Sequence, residues 1–177
     1  PKTGFLTSQL GLKTVMYDEH FPELEENKFD IAIIGVQDDR GSASNTGCGL
    51  GPDYFREQFY VLNEGPYATK LVDLGNIKAG ASLSDTYVAL KMVMSELLKL
   101  NILPVIIGGS QDLTYPQYLG YEPLEQRVDL VVVDSKFDLE EEDYLSKILL
   151  YQPNYLFNFS NIGYQTYFIN QESLKVM

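Results

Sequence analysis

Three charged residues close a short apolar run. In VDLVVVDSKFDLEEED, residues 128–143, five of the first six side chains are apolar, and the run passes into Asp134, Lys136 and Asp138. A buried strand that ends in carboxylates is a place where a cation can sit. In an extended chain, positions 134, 136 and 138 project to one side, so Asp134 and Asp138 alone would suit Mg2+ or Mn2+. Lys136 between them changes the chemistry. Its ammonium would lie close to both acids, an attraction on the order of 4 kcal/mol per pair at an effective dielectric of about 20, before desolvation is subtracted. A divalent ion would have to displace it. The spacing predicts that Lys136 stands in for a metal and bridges Asp134 and Asp138. The other reading of the same residues is a solvated loop of mixed charge.

Other reactive types are scarce. The chain has one histidine, His20, and one cysteine, Cys48. A nucleophile paired with an imidazole needs His20 at a strand end, and it lies far from every predicted one. Cys48 has no base partner in the pattern. The glycines of TGCGLGP (Gly47, Gly49 and Gly51) follow the spacing G-x-G-x-G, some distance after a strand. A dinucleotide fingerprint needs G-x-G-x-x-G directly after one, so these glycines read as a loop feeding a helix.

The elements that position these residues alternate in type. FDIAIIGVQ (29–37), KLVDLGNI (70–77), NILPVIIGG (101–109), VDLVVVD (128–134) and NYLFNFSNIGYQ (154–165) read as strands. A helix is expected from Gly51-Pro52-Asp53, where proline fits the first turn and the aspartate complements the helix dipole. A second helix, 83–100, is opened by Ser82 and Asp85 as a capping box. A third, in EEEDYLSKILLYQ (140–152), carries acids in its first turn. Residues 1–28 suggest only a short strand or helix with loops, and QESLKVM the start of a further element. Continuous apolar strands alternating with helices predict a parallel sheet covered on both faces. Ligands then bind at the carboxyl ends of strands. Those tails are Gln37-Asp38-Asp39, Gly108 to Asp112 and Asp134 to Asp138.

Charge and length exclude several classes. The chain has 177 residues, enough for one domain, 1–177, with a sizeable core. The net charge of −12 argues against nucleic acid and against an anionic membrane surface. No apolar run is long enough to span a membrane, and the N-terminus does not read as a signal peptide. One cysteine rules out an intrachain disulfide and fits a reducing compartment, so a cytoplasmic location is expected.

Four stretches together resemble the ureohydrolases, the family of arginase, agmatinase and formimidoylglutamase. IAIIGVQDDRGSASNTGCGLGPDYFR (31–56) looks like that family's early strand and loop, with a Gly-Pro followed by an arginine. LVDLGNI (71–77) fits next. ILPVIIGGSQDLTYPQ (102–117) lies where the family has a strand ending in Gly-Gly-Asp-His-Ser. VDLVVVDSKFDL (128–139) lies where it has Asp-Ala-His-x-Asp. The resemblance implies a three-layer αβα sandwich of the α/β class with a mainly parallel sheet, truncated at the C-terminus, and hence the N-terminal part of a longer protein.

The same resemblance implies what has changed. The family holds two Mn2+ ions through a histidine of the Gly-Gly-Asp-His-Ser motif, an Asp-His-Asp set, and two later aspartates. Gln111 stands at the first histidine position. Asp134, Lys136 and Asp138 stand at the second set. Ser110 replaces the aspartate before Gln111, and Asp112 is a substitute carboxylate one position on. No cofactor is therefore expected. The implied function is a ureohydrolase-like protein without dimanganese catalysis, in a structural, regulatory or binding role. The alternative is a metal-dependent hydrolase of a linear amidine or guanidino compound, completed by a C-terminal half. Self-association into a homo-oligomer is expected by analogy, as is a small guanidino or amino-acid ligand. An exposed sheet edge would also invite pairing.

Overall fold

The computed structural model describes residues 4–18, 20–42, 45–140 and 143–176. In chain order the helices are α1 (Leu10–Lys13), α2 (Leu24–Asn27), α3 (Gly51–Phe59), α4 (Leu83–Lys99), α5 (Thr114–Leu119), α6 (Tyr144–Leu150) and α7 (Ser173–Val176). The strands are β1 (Val15–Met16), β2 (Ile31–Gln37), β3 (Leu71–Lys78), β4 (Leu103–Ile107), β5 (Val128–Val133) and β6 (Leu156–Ile162). The five expected strands and three expected helices all form. Only their ends move, as with β4, which begins at Leu103.

β2 is the axis. It pairs in parallel with β3 on one side and β4 on the other, giving the order β1-β3-β2-β4. Successive strand residues point to opposite faces, and both faces of β2 are buried. Ala32 and Ile34 pack with Leu97 of α4, and Val36 with Leu90 and Met94 of the same helix. Gly35 points the other way. A side chain there would collide with Pro52 of α3 and with Asn76, its register partner on β3. α3 and α4 therefore lie on opposite faces, which makes three layers.

α4 starts as its sequence requires. The Ser82 hydroxyl accepts from the Asp85 N–H, and the Asp85 carboxylate accepts from the Ser82 N–H. Both halves of the capping box are present. α3 is anchored from below. Arg56 donates to both oxygens of buried Asp73 on β3, at 2.7 and 2.9 Å, and to the Gly75 carbonyl. The Tyr60 hydroxyl donates to the same carboxylate.

One expectation is corrected. The strands do not form one sheet covered on both faces. β5 and β6 make a separate two-stranded parallel sheet. One face of β5 packs Val128 and Leu130 with Phe159 against Tyr144, Leu145 and Ile148 of α6. Val131 and Val133 on the other face are 59% and 80% exposed. A continuous apolar run shows that both faces of a strand can be covered, not that these residues cover them. The helix of EEEDYLSKILLYQ starts at Tyr144, with Asp143 at its cap and no acid in its first turn; residues 141–142 lie outside the described residues.

A seam of side chains joins the two sheets. Lys91 of α4 pairs with Glu122 at 2.6 Å, and Glu122 also accepts from the Tyr151 hydroxyl. Tyr87, Tyr115, Tyr151 and Tyr118 meet edge to face in that order, with ring centroids 6.2–6.3 Å apart.

Candidate functional site

The tails of β2, β4 and β5 all lie at the carboxyl ends of the strands, as a parallel sheet requires. The tail of β2 is committed to structure. Asp38 is buried and accepts from the Arg40 guanidinium at 2.7 and 2.9 Å and from the Thr86 hydroxyl at 2.6 Å. The Arg40 hydrogen bond dominates, and it holds the Asp38 carboxyl down at about 2. Arg40 also donates to the Gly80 and Ala81 carbonyls, which ties the loop after β2 to the start of α4. Asp39 accepts from the Gly47 N–H at 2.6 Å. The glycine cluster is a loop that feeds α3, as expected, and it wraps on the Asp39 carboxylate.

Gly108 and Gly109 turn the chain after β4 in the left-handed region, with φ of 77° and 75°. Gly109 lies against the Asp38 and Val36 carbonyls, so the two tails touch. Ser110 follows, buried, and its hydroxyl has no hydrogen-bond partner among the described residues. Gln111 donates to the Tyr144 hydroxyl at 3.4 Å, and its side chain lies near enough to Asp134 to lower that carboxyl's pKa. Asp112 accepts from the Tyr87 hydroxyl at 2.5 Å, and its carboxylate fills the space a side chain on Gly41 would need. Its second oxygen is buried without a hydrogen-bond partner among the described residues.

The tail of β5 differs in detail from the extended geometry expected of it. Asp134 accepts from the Lys136 N–H at 3.2 Å and from the Ser135 hydroxyl. This turn of the backbone on its own carboxylate ends the strand alternation. Lys136 therefore does not bridge two acids. Its ammonium is 3.9 Å from Asp138, and the described ion pairs include none with Asp134. The lysine side chain is 56% exposed and that of Asp138 is 15% exposed.

Their titration follows. Burial pushes the Asp134 carboxyl up, but hydrogen bonds from Gln111 and from the Lys136 and Ser135 N–H groups outweigh it, and the group sits below the usual carboxylate range. Asp138 is pushed above it, mainly by burial. Lys136 opposes that shift, while the charges of Asp143, Asp134 and Glu140 add to it. A cavity of about 240 Å3 opens here, lined by Lys136, Asp138, Glu140, Asp143, Phe168 and Asn170. Among the described residues, no three His, Cys, Asp or Glu side chains gather into a group that could hold a metal. His20 is exposed, and its backbone N–H donates to the Asp18 carboxylate. Sequence reasoning missed Tyr144 and Tyr87. Nothing local marks either, because each is at least 25 residues from the side chain it touches.

A parallel α/β sandwich with its candidate site at the carboxyl ends of β4 and β5 defines the class. The arginase-family profile matches residues 29–151, and the chain belongs to the arginase family. Similar proteins include the formimidoylglutamase of Photorhabdus laumondii, 29% identical over 133 residues, and that of Macrococcus caseolyticus, 30% identical over 131 residues. These matches cover 72% and 69% of this chain but only 42% and 40% of those proteins. The chain thus spans less than half the length of these two relatives.

Solved structures share the fold. The Trypanosoma cruzi formiminoglutamase with Mn2+ aligns with a TM-score of 0.77 at 21% identity, over 88% of this chain and 59% of that one. The Bacillus subtilis formimidoylglutamase aligns with a TM-score of 0.75 at 16% identity, over 92% and 54%. Among the described residues no helix is long and apolar enough to cross a membrane.

Proposed function

We propose that this arginase-family chain has lost dimanganese catalysis and serves a structural, regulatory or binding role. The observation that carries this reading is Gln111. Its side chain offers an N–H to Tyr144 and lies near enough to Asp134, the carboxylate a metal would use, to lower that group's pKa. A neutral amide is a weaker ligand for a divalent transition metal than an imidazole, and this amide donates its N–H to Tyr144. Lys136 places a positive charge 3.9 Å from Asp138. Two carboxylates, an amide and an ammonium are a poor donor set for a pair of divalent ions, and no hydrolytic step is derived through such a pair. As a member of this family the chain is also proposed to self-associate.

The test is metal content. The protein in its natural length, purified in the presence of manganese, is expected to hold no stoichiometric manganese by mass spectrometry. The double variant Gln111→His with Lys136→His is expected to gain affinity at least about tenfold, since it restores two imidazoles to the site. Two manganese ions per unmodified chain would end this reading.

A second reading rests on the relatives, several of which are formimidoylglutamases. In it the chain is part of a hydrolase of a linear amidine, with further ligands supplied by polypeptide outside these 177 residues. Manganese-dependent turnover of formimidoylglutamate, agmatine or arginine by the natural protein would establish it.

A further inference from the structure

A surface pocket lies between α2 and α4. It is lined by Phe21 and Leu24 from the segment before β2, by Met92, Val93 and Leu97 of α4, and by Leu74 of β3. Leu97 is buried and packs with Phe29 and Ala32, so the deep side of the pocket is the core itself. None of these residues belongs to the site at the carboxyl ends of β4 and β5. Two of them stand in solvent: Phe21 is 60% exposed and Met92 is 63% exposed. Val88, one turn before Met92 on the same face of α4, is exposed as well. The apolar surface therefore runs on along the helix. An exposed apolar patch with a charged rim marks a place where another molecule binds.

Here the rim is acidic. Glu96 borders the pocket from α4. Leu24 is flanked by Glu23 and Glu25, Glu26 follows, and all three acids are exposed. The stretch DEHFPELEEN, 18–27, holds five acids and no lysine or arginine. Glu96 pairs with Lys99 at 2.7 Å, but no described ion pair uses Glu23, Glu25 or Glu26. Carboxylates left without a cation attract and orient a basic partner. Size narrows the kind of partner. The cavity holds about 280 Å3, just under the range of about 300–1,000 Å3 usual for a small ligand. It has room for an anchoring side chain that projects from a larger molecule. Met92 suits such an anchor, because a flexible thioether adapts to the apolar group it meets.

We propose that the pocket between α2 and α4 docks a basic amphipathic helix of a partner protein. One apolar side chain of that helix enters the pocket, the next lies over Met92 and Val88, and its lysines or arginines face Glu23, Glu25 and Glu26. This is recognition of a helix in a groove, read through apolar anchors one turn apart. It gives the binding role proposed above a surface and a partner chemistry, and it uses no residue of the degenerate site. A second copy is the weaker occupant, since each copy carries a net charge of −12 and would set the same acidic rim against itself.

The experiment titrates the protein in its natural length with a short fluorescent peptide of the repeat Lys-Leu-Ala-Lys, whose leucines fall one turn apart. Fluorescence anisotropy is expected to show saturable binding. Kd is expected to rise at least about tenfold in Met92→Glu and in the double variant Glu25→Lys with Glu26→Lys. Glu57→Lys with Glu125→Lys makes the same change of charge elsewhere on the surface, and is expected to leave Kd within about twofold. The Met92 methyl signal is expected to shift on binding in a carbon-13 NMR spectrum. Absence of saturable binding would overturn the proposal. So would an equal loss in the distant pair, which would mean only that an acidic protein attracts a polycation, or a Met92 methyl signal that does not move. A dimer that Met92→Glu dissociates would overturn it in favour of a second copy. A Met92 methyl shielded from a soluble paramagnetic probe before any peptide is added would overturn it in favour of the protein's own chain. Manganese content enters none of these readings, so this proposal and the loss of catalysis stand or fall separately.

Discussion

Lys136 is the charge that opposes Asp143, Asp134 and Glu140 at Asp138. Lys136→Gln is therefore expected to raise the Asp138 pKa further, as read by carboxyl-carbon NMR across a pH titration; no change would mean the 3.9 Å contact is idle. Asp38 titrates in the other direction. Its folded pKa, about 2, lies below the ordinary 3.8, so its contribution is present above about pH 4 and is lost as pH falls through about 2. The shift corresponds to about 2 kcal/mol. Circular dichroism at a series of pH values is expected to show that Asp38→Asn flattens the acid limb of the stability curve. The site was partly legible at this scale. Carboxylates and a lysine after an apolar run mark the end of β5 without any coordinates. The partners were not legible, because Asp134 folds its own backbone back and Gln111 finds a tyrosine 33 residues away.

Elements were more legible than their joining. β-branched runs, Pro52 and the Ser82–Asp85 pair each act locally, and each formed the element expected of it. Ser82→Ala is expected to cost about 1 kcal/mol in urea unfolding, the usual loss for a helix cap. Arg56→Ala should cost more, about 3–5 kcal/mol, because it strips Asp73 of its cation inside the sheet. A loss below about 1 kcal/mol would show that Asp73 is wetter than its burial indicates. Strand partners are another matter. Whether β5 joins β4 or stands apart depends on backbone groups that every residue carries alike, so side-chain type does not report it.

At the largest scale, the described residues form two sheets joined by a seam of side chains. That seam has a chemical weakness. Burial and the neighbouring Glu122 carboxylate push the Tyr151 hydroxyl up to about 12. The folded value is above the ordinary 10, so the fastening is fully present below about pH 10 and fails as pH rises through about 12. Once ionised, the phenolate would repel the very carboxylate it now binds. Alkali should accordingly unhinge the halves before either one melts, and a phenylalanine at position 151 would make the latch indifferent to base.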